Sequence, residues 1–422
     1  MSKNSLSLIE KILYRVEKPG RYVGGEHNQI VKDWNSTDLK WCLVFPDIYD
    51  IGQANLGLAM LYQIINDQED ILAERSFAPW IDMEEQMREH KIPLFSLESK
   101  QPLSAFNILG FTLPYESIYT NVLNILNLSD IPLLASERDE TYPLIVAGGH
   151  ACFNPEPIAS FFDAFIVGEG EEVILDLSNV YQDWKKSALS KADLLMMLAQ
   201  IPGVYVPSLY EVEYNEDGTI SSLGPKQAGV PEKVTKRIVA QLPPHPTKFL
   251  VPNVEIVHNR MSIEIMRGCT RGCRFCHAGM VNRPVRQRSV EEIIPVIEES
   301  VSSTGYEEVG LLSLSSSDHT QILDLTKEVY NNFHEDKLSI NLPSLRIASF
   351  SLELMDNLKD LKPGGGFTLA PEAATERMRA VINKPLDDEE FYQTVTQIFQ
   401  KGWRSIKLYY MIGLPTETME DV

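Results

Sequence analysis

Cysteine is scarce in this chain, five among 422 residues, and their spacing builds no disulfide framework. That fits a reducing cytoplasm rather than a secreted, cross-linked scaffold. Positive charge is short as well. The 38 Lys and Arg stand against 59 Asp and Glu, a formal net charge of −21, which argues against broad binding to nucleic acid or anionic membranes. No apolar run approaches membrane-spanning length, and there is no internal repeat or low-complexity tract. The first residues, with Leu6, Ile9, Leu13 and Val16 among charges, read as an amphipathic helix rather than a signal peptide. What remains is a protein of ordinary globular composition, long enough for two to three domains.

Three of the cysteines fall together in Cys269-Thr-Arg-Gly-Cys273-Arg-Phe-Cys276. This C-x3-C-x2-C run supplies three thiolates, enough to hold three corners of a cubane iron–sulfur cluster. A fourth would complete an electron carrier; three leave one iron open to a small-molecule ligand. Zinc and a thiol redox site are the alternatives. Structural zinc takes four ligands, and the only nearby fourth, His277, adjoins Cys276, where neighbouring side chains diverge. Cys42 and Cys152 lie far away in apolar surroundings and read as buried thiols. Between Arg260 and Arg288 there are seven arginines and one acid, Glu264. They form either a solvated basic face or guanidinium groups that offset an anionic cluster and bind carboxylates or phosphates.

After the motif, apolar β-branched runs alternate with helical patterns, which points to βα units around a parallel sheet. The strands are expected at 261–267, 308–314, 338–347, 366–370 and 405–412. Helical patterns fall at 290–302, 319–333, 351–359, 373–382 and 388–401, the first opened by a Ser289/Glu292 capping box. In such folds chemistry gathers at the C-terminal ends of strands.

With this cysteine spacing, residues 251–422 resemble the radical S-adenosylmethionine (SAM) enzymes. The resemblance implies that Cys269, Cys273 and Cys276 hold a [4Fe-4S] cluster whose open iron chelates SAM. The reduced cluster would cleave SAM to methionine and a 5′-deoxyadenosyl radical. It further implies SAM contacts at Phe275, beside the adenine, and at Ser315, Ser317 and Asp318 after the second strand. Arg346 would meet a carboxylate, Glu372 would be a polar SAM contact, and Ile412 and Gly413 would line the adenine segment. The family's cores usually have six βα units, whereas five strands are legible here. The barrel is therefore expected to be partial, and the sequence to be incomplete at its C-terminal end.

Residues 38–180 read as a doubly wound α/β domain, with strands at 41–45, 107–112, 144–147 and 164–167 and a helix at 55–66. A helical extension precedes it at 1–37. Residues 181–250 form a connecting segment with a helix at 191–200, a hairpin around Asn215-Glu-Asp-Gly218, and the proline-rich Leu242-Pro-Pro-His-Pro-Thr247. Ligands in doubly wound sheets sit beyond the strand ends near a reversal of strand order. Taken together, the loops at those ends resemble the cobalamin-binding domain found ahead of many radical SAM cores. The resemblance places Tyr49, Gly52 and Asn55 of the first loop, Gly148, Gly149 and His150 of a second, and Gly168 and Glu169 of a third against the cofactor. Tyr49 stands where the family's D-x-H-x-x-G loop has its cobalt-ligating histidine. Tyrosine is a poor cobalt ligand, so bound cobalamin would lack a lower protein ligand. Stretches such as Ala73–Trp80 and Arg283–Ser289 are similar to one uncharacterised bacterial group of such proteins.

The expectation from these resemblances is a cytoplasmic radical SAM enzyme that uses cobalamin to transfer a methyl group to an unactivated carbon. Its partners would be its small-molecule cofactors, an external electron donor, and a substrate that RNA or protein could supply, with no membrane. Two alternatives stay open. One is radical chemistry without cobalamin, such as sulfur insertion into a tRNA or ribosomal protein. The other is a nonenzymatic iron–sulfur sensor.

Overall fold

The computed structural model describes residues 3–347, 352–361 and 366–422. The molecule divides into two units: Met1–Pro243 with Leu250–His258, and Pro244–Phe249 with Asn259–Val422.

The first unit is built on a six-stranded sheet. Its strands are Leu39–Phe45 (β1), Ile71–Phe77 (β2), Ile108–Thr112 (β3), Leu144–Gly148 (β4), Ala164–Ile166 (β5) and Val204–Tyr205 (β6). They lie in the order β2-β1-β3-β4-β5-β6, with only β6 antiparallel to its neighbour. Successive side chains of a strand point to opposite faces, and both faces of β1 are covered. Cys42 and Val44 join one apolar core, while Leu39, Trp41, Leu43 and Phe45 join the other. That double burial explains the unbroken apolar run of this strand. The amphipathic start is the helix Lys3–Ile12, whose Ile9 and Ile12 enter the first of these cores.

Two strands of this sheet were not legible in the sequence. β2 carries Glu74-Arg75-Ser76 in its middle, yet all seven of its residues are buried. Arg75 is 1 % exposed and pairs with Glu26 at 2.6 Å and Glu98 at 2.7 Å, so the charges are matched inside the protein. β6 is only two residues long. The connecting segment holds the helix Lys191–Leu198, opened by a Ser190/Asp193 capping box, and the hairpin of Tyr210–Tyr214 (β7) and Ile220–Pro225 (β8). Residues 250–258 return to the first unit. Val251 bridges His27, the Asn253 amide donates to the Gly24 carbonyl at 2.8 Å, and the Val257 N–H donates to the Asp50 carbonyl at 3.0 Å.

The second unit has the strands Met261–Glu264 (β9), Met266–Arg267 (β10), Arg286–Gln287 (β11), Glu308–Leu312 (β12), Ser339–Asn341 (β13), Phe367–Glu372 (β14) and Ile406–Tyr410 (β15). Parallel pairing joins β9, β12 and β13, and separately β14 and β15; a parallel bridge from Leu345 to Leu369 links the two sets. Alternate residues such as Met261, Ile263, Val309, Leu311, Phe367 and Leu369 face one core, which the helices Val290–Thr304, Ile322–Phe333, Leu352–Leu361 and Asp388–Gln400 cover. The Ser289/Glu292 capping box is present as its spacing predicts: Ser289 Oγ accepts from the Glu292 N–H, and Glu292 accepts from the Ser289 N–H.

Boundaries shift where local chemistry intervenes. The third parallel strand, expected over 338–347, is continuous only at 339–341 and resumes as the single Leu345 bridge, because Pro343 has no N–H to donate and Ser344 turns left-handed (φ +63). The helix expected from 319 begins at Ile322 behind a tight turn at Ser316–Asp318. The one expected from 373 begins at Glu376, capped by the Thr375 hydroxyl. The expected helix start at Ser351 lies outside the described residues. Among the described residues, no helix is long and apolar enough to cross a membrane.

Candidate functional site

The cysteine run leaves β10 through Gly268, whose backbone is left-handed (φ +87). A Cβ there would lie 2.6 Å from the Asn282 carbonyl oxygen and 2.7 Å from that of Pro284, so only glycine lets residues 282–284 close over the loop. Cys269, Cys273 and Cys276 are free, half-buried thiols. The Gly279 N–H donates to Cys276 Sγ at 3.2 Å. Among the described residues, no three His, Cys, Asp or Glu side chains converge on the position of a single metal ion. His277 is exposed beside Cys276. Three accessible soft donors spread around a glycine turn suit a polynuclear iron–sulfur group, where each thiolate takes its own iron, better than one tetrahedral zinc. Cys42 and Cys152 are fully buried, and burial pushes both thiols up, so they stay protonated.

All seven arginines of this region donate to protein oxygens. Arg260 pairs with Glu308 at 3.0 Å, Arg267 grips both oxygens of Glu264 at 2.8 and 2.9 Å, and Arg271 grips Asp318. Arg274, Arg283, Arg286 and Arg288 reach the carbonyls of Val381, Cys269, Asn282 and Glu264. Their shared effect is to build the loop's frame. On the far side the frame is completed by the segment after the helix Glu376–Val381. There the Arg274 N–H donates to the Ile382 carbonyl at 2.9 Å, and the Asn383 amide donates to the Gly272 carbonyl at 2.9 Å.

The residues expected to meet SAM divide into two groups. Ser315 and Ser317 are buried at 4 % and 7 % exposure; Ser315 donates to Asp318 at 2.7 Å, and Ser317 accepts from the Arg346 N–H at 3.0 Å. Both shape the loop after β12 rather than present a free hydroxyl, and Asp318 is held by Arg271. Phe275 and Ile412, in contrast, are open to solvent at 41 % and 78 %. Gly413 is left-handed (φ +84), and Glu417 accepts from the N–H groups of Gly413 and Leu414. At the end of β14, Pro371 and a register shift turn Glu372 left-handed (φ +69), and its carboxylate accepts from Lys384 at 3.0 Å. Arg346, Lys384, Pro371 and Leu386 line a shallow, open concavity. Among the described residues the Arg346 guanidinium has no ion-pair partner, which leaves a cation at that rim.

In the first unit the loops at the sheet's C-terminal edge are largely occupied by the protein itself. Tyr49 is 2 % exposed and its hydroxyl donates to Glu26 at 2.7 Å, so it cannot stand in for a ligand. A Cβ on Gly52 would strike the Phe45 and Phe77 rings, and Asn55 Oδ1 caps the helix Leu56–Asn66. Gly149 (φ +116) clears the Leu113 backbone, and Gly168 (φ +114) clears that of Arg237, whose carbonyl oxygen would lie 2.2 Å from a Cβ. Glu169 accepts from the Val239 N–H at 2.6 Å. Gly148, with nothing nearer to its Cβ position than Ile166 at 3.8 Å, and the half-buried His150 remain beside the edge. These contacts describe how the three loops are held within the protein.

Sequence reasoning missed Asn383, Lys384 and the Arg271–Asp318 pairing. Asn383 alone had a local signal, since asparagine just past a helix end favours the left-handed cap it adopts here (φ +55). The other two depend on distant segments meeting in space.

Two family profiles match this chain: radical SAM proteins, N-terminal, over residues 57–207, and the radical SAM superfamily over residues 263–422. An uncharacterized protein of Methanocaldococcus jannaschii is 29% identical over 339 residues, 79% of this chain and 65% of that protein, so the chain spans about two thirds of that relative. A tRNA-2-methylthio-N(6)-dimethylallyladenosine synthase of Malacoplasma penetrans is 23% identical over 169 residues, 38% of this chain and 34% of that one. Among solved structures, the radical SAM methyltransferase TsrM of Kitasatospora setae, with cobalamin and a [4Fe-4S] cluster bound, aligns with a TM-score of 0.63 at 16% identity, covering 90% of this chain and 71% of that one. The cobalamin-dependent radical enzyme OxsB aligns with a TM-score of 0.57 at 12% identity, covering 91% and 51%. These likenesses bear on the fold, a parallel-sheet α/β architecture shared with cobalamin-dependent radical SAM enzymes. With both profiles matched in order, over residues 57–207 and 263–422, the chain belongs to the radical SAM superfamily.

Proposed function

We propose that this protein is a radical SAM enzyme that removes hydrogen from an unactivated carbon of its substrate. The observation that carries the reading is the loop itself: three accessible thiols on a glycine turn, framed by arginines and facing no fourth protein donor among the described residues. Bound at Cys269, Cys273 and Cys276, a [4Fe-4S] group would supply the electron that splits SAM and releases a 5′-deoxyadenosyl radical. The protein's own residues would do the positioning. Arg346, without an ion-pair partner among the described residues, offers its cation to the SAM carboxylate. Glu372, at the register shift beside Pro371, offers a carboxylate to the ammonium. Phe275 and the Ile412–Gly413 turn present apolar and backbone surface to a flat adenine.

The test is anaerobic reconstitution with iron and sulfide, reduction, and addition of SAM, with 5′-deoxyadenosine measured by mass spectrometry. Wild type should load about four irons and form the product, and Cys273→Ala should do neither. A loaded cluster that never cleaves SAM would favour the sensor.

Methyl transfer is the second reading, favoured by the likeness of 90% of the chain to a cobalamin-bound methyltransferase. Cobalamin would supply the methyl group, held at the first unit's loops that carry Tyr49, Gly52 and Asn55, Gly148 to His150, and Gly168 and Glu169. Absorbance of the purified protein with added hydroxocobalamin decides: a retained, stoichiometric corrinoid supports methyl transfer. Its absence leaves cobalamin-independent chemistry, such as the sulfur insertion expected for an RNA or protein substrate.

A further inference from the structure

Arg271 lies in the sequence between two of the thiols and leads outward to a fixed acid. Its Nε donates to Asp318 Oδ2 at 2.8 Å, and its Nη2 donates to Oδ1, a two-pronged fork. Asp318 is held from behind. The Ser315 hydroxyl donates to it at 2.7 Å, and the turn it closes is pinned by Ser316, whose N–H donates to the Ser344 carbonyl at 3.2 Å and whose hydroxyl donates to the Pro343 carbonyl at 2.8 Å. The arginine side chain is 40 % exposed and the aspartate 16 %, so the pair spans from the solvent-facing loop to the framework behind it.

A fork of this kind could serve only as a mechanical tie. Its charges argue for more. Adding one electron to a group held by Cys269 and Cys273 adds one negative charge with no accompanying proton. A nearby cation favours that step and a nearby anion opposes it, with a strength set by distance and local dielectric. In the pair the two influences partly offset each other.

We propose that the Arg271–Asp318 pair sets how readily the iron–sulfur group at Cys269, Cys273 and Cys276 accepts an electron. The proposal rests on the functional reading above. Removing one charge unmasks the other, so the two single substitutions act in opposite directions. A mechanical tie lacks that signature, because breaking it from either end has the same effect.

The experiment compares anaerobically reconstituted wild type, Arg271→Gln, Asp318→Asn, the double variant and Arg271→Lys. Each is titrated with dithionite in the presence of redox mediators, and the reduced signal is followed by electron paramagnetic resonance. The midpoint potential is a property of the loaded fraction, so partial loading does not disturb it. Arg271→Gln should shift the midpoint downward and Asp318→Asn upward. The double variant should lie between them, and Arg271→Lys should remain nearest wild type. Shifts in the same direction, or none, overturn the proposal. So does loss of the group from both single variants, which would make the pair an assembly element. If wild type itself binds no four-iron group, the functional reading fails instead, and iron analysis separates the two failures.

Discussion

Asn383 holds Gly272 from 111 residues away, its side-chain amide donating to the Gly272 carbonyl at 2.9 Å. Two properties of asparagine serve here, the amide and tolerance of a left-handed backbone (φ +55). Asn383→Gly keeps the backbone and loses the amide, which should cost about 1 kcal/mol. Asn383→Ala adds strain of about another 1 kcal/mol. Urea unfolding should rank wild type above Asn383→Gly and that above Asn383→Ala, with iodoacetamide labelling of Cys273 accelerating in the same order. Equal stability of the two variants would refute the backbone argument.

Acid should weaken the second unit through His245. The ring is 6 % exposed; Nε2 accepts from the Glu264 N–H at 3.1 Å, and Nδ1 donates to the Pro246 carbonyl at 2.8 Å. Burial first, and the Arg288 and Arg267 charges after it, hold its pKa at about 4 against an ordinary 6.5. Because the folded value is the lower one, the unfolded state binds more protons between the two. The contribution is therefore complete above pH 6.5 and is lost as pH falls toward 4. The loss is on the order of 3 kcal/mol. Denaturation midpoints measured at neutral pH and near pH 4.5 should diverge in wild type and less in His245→Gln.

Arg75→Met should be severe. The arginine sits between Glu26 and Glu98 with all three side chains essentially buried, and its removal strands two carboxylates. A loss of about 3–5 kcal/mol is expected. Adding Glu98→Gln, which removes one stranded charge, should recover part of it in the same urea titration. Failure of the second change to help would mean that Arg75 acts through packing over Tyr62, whose ring lies 5.1 Å from its guanidinium carbon.

Gly168→Ala tests the seam at the end of β5. An alanine Cβ would lie 2.2 Å from the Arg237 carbonyl oxygen, so the segment that crosses there must move. That segment is tied by the Arg237 N–H to Val167 at 2.9 Å and by the Glu169 N–H to Arg237 at 3.1 Å. Trypsin should cut after Lys236 or Arg237 several-fold faster in the variant. An unchanged cleavage rate would show that the segment yields without detaching.

The sequence spoke clearly wherever one residue's own chemistry decides a local outcome. Ser289 with Glu292 announced a helix start. β1 announced a doubly covered strand. It was silent where distant segments decide. Glu74-Arg75-Ser76 looks like a break in β2 until Glu26 and Glu98 are seen to neutralise it. Gly149 and Gly168 do permit close approach, but what approaches is Leu113 and Arg237 of the same protein. Position alone could not separate Ser315, which is turned into its own loop, from Phe275, which faces outward.

The path of residues 244–258 carries a practical consequence. The backbone enters the second unit at Pro244–Phe249, goes back to the first for Leu250–His258, and only then stays. A single cut cannot separate such units cleanly. A piece ending at Pro243 loses the strip that seals Gly24, His27 and Asp50, and a piece beginning at Asn259 loses the His245 ring that accepts the Glu264 N–H. Recombination between relatives would meet the same obstacle, because a crossover in the proline-rich stretch exchanges part of each unit. The two units are therefore expected to have been inherited together, as one gene segment rather than as interchangeable modules.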